Sequence, residues 1–244
     1  MPLQIDRTPH VITARINRPQ AKNAVNFELM DRLEELLTEL ESNRDVRLFI
    51  LTGSGGSFIS GGDLREFHQL KKANEAKRMT RRMIAILERI RQLPFWTLAA
   101  INGYAYGGGW EVASFFDFRV VSGSAKIGFT QGKFYLPPGW GGVSILSKLT
   151  GRSRALYWLA SQKVITAEEA VESGFADELF EEKSFDESLE KLSAKLTLND
   201  RTFIEYLKRS PSLNDPSQEV EPFSKFWESE EHQKRVEAFL NRKS

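Results

Sequence analysis

Three glycines and then a single glutamate stand in an otherwise apolar run, INGYAYGGGWEVA (101–113). A second stretch, KIGFTQGKFYLPPGWGG (126–142), is rich in glycine and aromatic residues and holds neither Asp nor Glu. Glu111 therefore has no carboxylate there with which to share acid–base work. The glycines point to a different chemistry. SFISGGDL (57–64) and YGGGWE (106–111) each lead from a strand-like segment into a helix-like one, where free backbone N–H groups point outward and the helix dipole is positive. Two such turns set face to face offer two N–H donors to one developing oxyanion, and glycine lets the backbone approach a ligand with no Cβ in the way. Tight turns and close packing are the plainer use of Gly61, Gly62 and Gly107 to Gly109, and a short glycine motif alone does not separate the two. Neither stretch is a phosphate loop: G-x-x-x-x-G-K-[ST] is absent, and GYAYGGG does not fit G-x-G-x-x-G.

Such turns need elements to hold them. VITARI (11–16) reads as a strand that ends in the Pro- and Asn-rich turn NRPQAKN. FELMDRLEELLTELESN (27–43) sets Leu29, Leu33, Leu36, Leu37 and Leu40 at helical spacing behind Asn26, an N-cap. RLFILTG (47–53) is a short buried strand, a charged helical stretch runs from SGGDL to about 92, and PFWTLAAING brings the next strand. DFRVVSGSAKIGFT (117–130) carries two more short strands. Strand, helix, strand in that order predicts parallel pairing through right-handed crossovers. Beyond about 139 the pattern turns mostly helical, with SPSLNDPSQEVEP (210–222) as the best linker, so the class is α/β with a helical C-terminal extension.

Composition narrows the function. The chain has 244 residues, 41% hydrophobic and 27% charged, enough for one large core. A formal net charge of +1 provides no global field for nucleic acid or an anionic membrane, so neither partner is expected. There is no cysteine, and the three histidines (His10, His68, His232) are scattered, which argues against a metal centre. The polar N-terminus lacks a secretory pattern, and the most apolar window, 97–116, is broken by Asn102, glycines and Glu111. A cytoplasmic location is the expectation.

INRPQAKNAVNFELMDRL, LFILTGSGGSFISGGDLREF, AAINGYAYGGGWEVASFFDFRVVSGSAKIGF, PPGWGG and GRSRALYWLASQKVITAEEAVESGFADELF together resemble, in order and spacing, the crotonase (enoyl-CoA hydratase/isomerase) superfamily over essentially the whole chain. The resemblance implies a spiral of ββα repeats, with a core at 1–185 carrying the acyl-CoA site. It implies a helical region at 186–244 used in trimerisation, giving a homotrimer or a hexamer. It implies a CoA thioester substrate, with coenzyme A part of the substrate and no separate cofactor. It also implies that the N–H groups of Gly62 and Gly108 grip the thioester oxygen, with Ser60, Gly61, Asp63 and Leu64 beside them. Lys22 and Arg65 offer point charges to the CoA phosphates or adenine, and Trp227 and Lys243 cover the adenine.

Family hydratases position water with two glutamates. Glu111 matches the first, but alignment on PGWGG puts Gln131 at the second, and an amide cannot act as a general acid or base. Isomerases of the family also rely on a carboxylate there. Three readings stay open. In the leading one, Glu111 alone handles the proton of a hydratase-like reaction and Gln131 orients water. In the second the enzyme is a decarboxylase of methylmalonyl, ethylmalonyl or methylglutaconyl type, a branch whose WGG turn is shared through Trp140. Lys133, His68 or an Arg of KRMTRRM would then meet the carboxylate, although each also reads as a solvated charge. In the third the chain binds CoA esters without turning them over. Plainer roles stand beside these: Glu111 suits a helix dipole, Asp63 an N-cap, and Trp110, Phe115, Phe116, Phe134 and Tyr135 either core or an acyl pocket.

Overall fold

In the computed structural model, which describes residues 1–213 and 215–241, the N-terminus pairs before any helix forms. Strands β1 (Leu3–Arg7) and β2 (Val11–Ile16) are antiparallel, with Leu3 opposite Ile16 and Ile5 opposite Ala14. VITARI is thus a strand as expected; β1 was not anticipated, because LQIDR buries only Leu3 fully. Helix α1 (Phe27–Ser42) starts where Asn26 Oδ1 accepts from the Leu29 N–H at 3.0 Å, and it buries the five expected leucines together with Met30. Each of those side chains contributes about 2 kcal/mol by leaving water.

The chain then repeats one pattern. Strand β3 (Leu48–Gly53) is followed by β4 (Ser57–Ile59) and helices α2 (Leu64–Phe67) and α3 (Ala73–Gln92). Next come β5 (Trp96–Ile101), β6 (Tyr104–Tyr106) and α4 (Gly108–Ser114), then β7 (Phe118–Ser122), β8 (Lys126–Gly128) and α5 (Gly142–Thr150). After α6 (Arg152–Ala160), β9 (Val164–Thr166), α7 (Ala167–Glu172) and β10 (Glu178–Phe180) comes α8 (Phe185–Leu196). The first strand of each repeat enters a sheet ordered β1-β2-β3-β5-β7-β10, and the second enters another ordered β4-β6-β8-β9. Pairing is parallel from β2 through β3, β5 and β7 to β10, and from β4 through β6 to β8. This is the crotonase-like ββα spiral, and it has a direct consequence for chemistry. Because β4, β6 and β8 are parallel neighbours, the chain leaves all three at the same end of the sheet, bringing 60–62, 107–111 and 129–131 together.

A compact unit runs from Met1 to Arg201 and a second begins at Thr202. The first extends past 185 because Phe185 and Leu189 of α8 pack with Leu48, Ile50, Leu98 and Phe180. The second holds α9 (Arg201–Arg209, which straddles the division), α10 (Val220–Trp227) and α11 (Glu230–Asn241), with Phe203 and Tyr206 against Phe226. Short 3-10 turns at Ser210–Ser212 and Pro216–Glu219 occupy the expected linker, whose Asn214 lies outside the described residues, as does Lys243. No described helix is long and apolar enough to cross a membrane, and no cluster of His, Asp or Glu among the described residues is arranged to hold a metal ion.

Candidate active site

The two glycine turns touch. Gly61 takes φ +112° and Gly107 φ +54°, values open to glycine at little cost. A Cβ on Gly61 would lie 3.4 Å from the Gly108 nitrogen, and one on Gly107 would lie 3.9 Å from the Ser60 carbonyl oxygen. Gly109 is held by packing: a Cβ there would sit 1.9 Å from the Ile59 oxygen. Gly108 opens α4, so its N–H has no acceptor within its own helix. On the other turn Val25 N–H donates to Gly61 O at 2.8 Å and Asp63 N–H to Val25 O at 2.7 Å, which leaves the Gly62 N–H out of that bridge. Gly62 and Gly108 thus each carry a backbone N–H that its own turn does not use.

The NRPQAKN turn braces the first of them. Asn23 donates to the carbonyls of Ser57 (2.7 Å) and Ser54 (2.9 Å), and Ser60 N–H donates to Lys22 O at 3.2 Å. Lys22 itself is exposed at φ +49°. Asp63 caps α2 by accepting from the Arg65 N–H at 3.1 Å and pairs with Arg18 at 2.8 Å.

Glu111, 2% exposed, is fastened on every side. Its Oε1 accepts from Gln131 Nε2 (3.1 Å) and Gly139 N–H (3.3 Å), and its Oε2 from Trp140 N–H (2.8 Å) and Gly142 N–H (3.2 Å). Four donors fill the roughly four lone-pair sites of a carboxylate. Gln131 is oriented in turn by Trp110, whose Nε1 donates to Gln131 Oε1 at 3.2 Å. Burial pushes the Glu111 carboxyl above its ordinary value, and the hydrogen bonds from Gly142, Trp140, Gln131 and Gly139 oppose that shift without cancelling it.

The sequence profile of the enoyl-CoA hydratase/isomerase family matches residues 6–244. The chain belongs to that family. It is 32% identical to a crotonyl-CoA hydratase of Syntrophomonas wolfei over 182 residues, 74% of this chain and 70% of that protein. It is 34% identical to an ethylmalonyl-CoA decarboxylase of Xenopus laevis over 164 residues, 67% of this chain and 55% of that protein. The crystal structure of an enoyl-CoA hydratase from Bacillus anthracis superposes with a TM-score of 0.90 at 27% identity, covering 99% of this chain and 97% of that one. The crotonase fold and membership of a family of enzymes are thus shown, while the relatives' names divide between two reactions.

Within this enoyl-CoA hydratase/isomerase scaffold the expected residues separate. Gly62, Gly108, Glu111 and Gln131 come together with Ser60, Gly61 and Trp140, whereas Leu64, Arg65 and Lys22 lie on the exposed rim. His68 is exposed and contacts Lys71 at 3.0 Å, and Lys133 is also exposed. Trp110, Phe115 and Phe116 are core, with Trp110 packed on Phe129 at 5.2 Å, while Phe134 and Tyr135 face outward, Tyr135 98% exposed. Sequence reasoning missed the N–H groups of Gly139 and Gly142 on Glu111, the Trp110 donor to Gln131 and the Arg18 partner of Asp63. PGWGG was the signal for the first, since a loop dense in glycine is one whose backbone can close on a buried acceptor.

Proposed function

We propose that this chain stabilises the enolate of a CoA thioester at the Gly62 and Gly108 N–H groups, and that its reaction is decarboxylation of a small malonyl-type thioester. The observation that carries the choice of reaction is the saturation of Glu111. A general base needs a lone pair directed at the proton it takes. Here all four are turned toward Gln131 and the 139–142 backbone, and Gln131 contacts the carboxylate directly, in the place where a hydratase would hold water between two acids. Glu111 is then a positioning residue that ties the PGWGG loop to α4.

Decarboxylation asks less of the side chains. The bond from Cα to the carboxylate breaks and CO2 leaves. The electron pair moves into the Cα–carbonyl bond, and the thioester oxygen takes the charge under the two N–H groups. A proton from water at Cα then gives the shortened acyl-CoA. Each donor aimed at that oxygen contributes about 3 kcal/mol in a dry site. Similarity to the Xenopus decarboxylase supports this reading.

Hydration with Glu111 as sole acid–base group is the second reading, favoured by similarity to the Syntrophomonas hydratase and by a carboxyl whose burial helps it hold a proton. Incubation with methylmalonyl-, ethylmalonyl- and methylglutaconyl-CoA, and in parallel with crotonyl-CoA, separates the two. CO2 release is expected. Water addition to crotonyl-CoA without CO2 from any carboxyacyl ester would overturn decarboxylation, and tight binding without turnover of anything would leave a binding protein.

A further inference from the structure

Trp140 occupies a place that its motif does not explain. Its indole is 6% exposed and lies on both glycine turns at once. A Cβ on Gly108 would be 2.1 Å from Trp140 Cζ3 and 2.5 Å from Cε3, and one on Gly62 would be 3.5 Å from Trp140 Cζ2. Phe67 closes the other side, with its Cδ2 2.7 Å from that same Gly62 position and its ring edge-on to Phe27 at 5.3 Å. The loop that carries the indole has little room to shift. Glu111 holds it by three backbone N–H groups, Gly141 (φ +91°) lies against Phe115 of the adjoining segment, and Gly139 faces Thr80 of α3.

We infer that Trp140 is an acyl-size gate: a fixed aromatic wall over the Gly62 and Gly108 turns that admits short acyl groups and stops longer ones. The inference rests on the reading that the thioester oxygen sits at those turns, and it holds whichever reaction follows. An acyl chain leaving a carbonyl bound there meets the indole within a few atoms. The wall is positioned by the Glu111 carboxylate, which accepts from the Gly139, Trp140 and Gly142 N–H groups, so Glu111 and Trp140 form one unit of loop anchor and pocket wall.

Isothermal titration of the full chain with saturated, unreactive thioesters (acetyl-, butyryl-, hexanoyl- and octanoyl-CoA) tests this independently of turnover. The wild-type protein is expected to bind acetyl- and butyryl-CoA and to lose affinity beyond them. In Trp140→Ala, and in the milder Trp140→Leu, affinity should instead keep rising, by about fourfold for each methylene newly buried. Thermal melts establish that each variant is folded. Wild-type binding of octanoyl-CoA as tight as that of butyryl-CoA would overturn the gate, as would folded variants that keep the wild-type cut-off. Failure of the wild-type chain to bind even acetyl-CoA would overturn the thioester reading and the gate with it.

Discussion

Two carboxylates follow two glycine turns, Asp63 in SGGDL and Glu111 in GGGWE, and each stands at the start of a helix. Their surroundings are opposite. Asp63 meets a full positive charge, Arg18, at 2.8 Å and caps its own helix. Burial raises its carboxyl, but the Arg18 hydrogen bond and charge, with the Arg65 and Glu66 N–H groups, outweigh that and leave it below the ordinary aspartate value. Glu111 meets four uncharged donors, and burial leaves it above the ordinary glutamate value. One local pattern thus yields a stabilising ion pair in one turn and a buried anchor in the other, because partners contributed by distant segments decide what a carboxylate does.

The largest effect should come from the turns themselves. Gly108→Ala puts a methyl into the Trp140 ring and displaces an oxyanion donor, so kcat on the thioester the enzyme turns over should fall by about 100-fold or more; a change of less than threefold would remove this turn from the chemistry. Next in size, Asp63→Asn leaves Arg18 partly buried and unpaired, at a cost of about 3 kcal/mol in urea unfolding at neutral pH. Since the folded Asp63 carboxyl lies below its unfolded value, that stability is present above the ordinary aspartate pKa and disappears as pH falls through the depressed one. The gap between wild type and variant should therefore close in acid.

Glu111→Gln turns an amide NH2 toward backbone donors and should cost about 2 kcal/mol. Its pH dependence runs the other way. The folded Glu111 carboxyl lies above its unfolded value, so its contribution is fully present below the ordinary glutamate pKa and is lost as pH rises through the raised one. Above the ordinary glutamate pKa the gap between wild type and Glu111→Gln should narrow with rising pH, whereas the Asp63→Asn gap widens with rising pH only below the ordinary aspartate pKa and is flat above it. Parallel slopes would break the comparison. Comparable in size is Trp110→Phe, which removes one donor to Gln131 and leaves a void at a fully buried site, and should lower stability by about 2 kcal/mol in the same urea experiment.

Helical and strand periodicity made VITARI, the leucines of α1 and the parallel order of β3, β5 and β7 legible before any coordinates. The three-residue strands β4, β6 and β8 are legible only as the strand-like lead-ins to the two glycine turns and as the second short strand of DFRVVSGSAKIGFT, since so few residues carry almost no periodic signal. They are nonetheless the elements that align the turns. Gln131 opposite Glu111 was legible through the family resemblance. The Gly139, Trp140 and Gly142 N–H groups were signalled only by the glycine density of PGWGG, because backbone donors have no side-chain identity to read. Arg18 was missed as the partner of Asp63 because a pair so far apart in the chain has no local spacing rule, and Phe134 and Tyr135 face outward despite residue types that suggest core.

The central claim is that Glu111 anchors a loop and does not transfer the proton. The rate of CO2 release from a malonyl-type thioester, compared between wild type and Glu111→Gln across the pH range in which Glu111 titrates, tests it most directly. The account predicts a loss of no more than about tenfold in the variant, with no limb in the wild-type profile that the variant abolishes. A loss of 100-fold or more, typical of a missing general base, together with such a limb would contradict it.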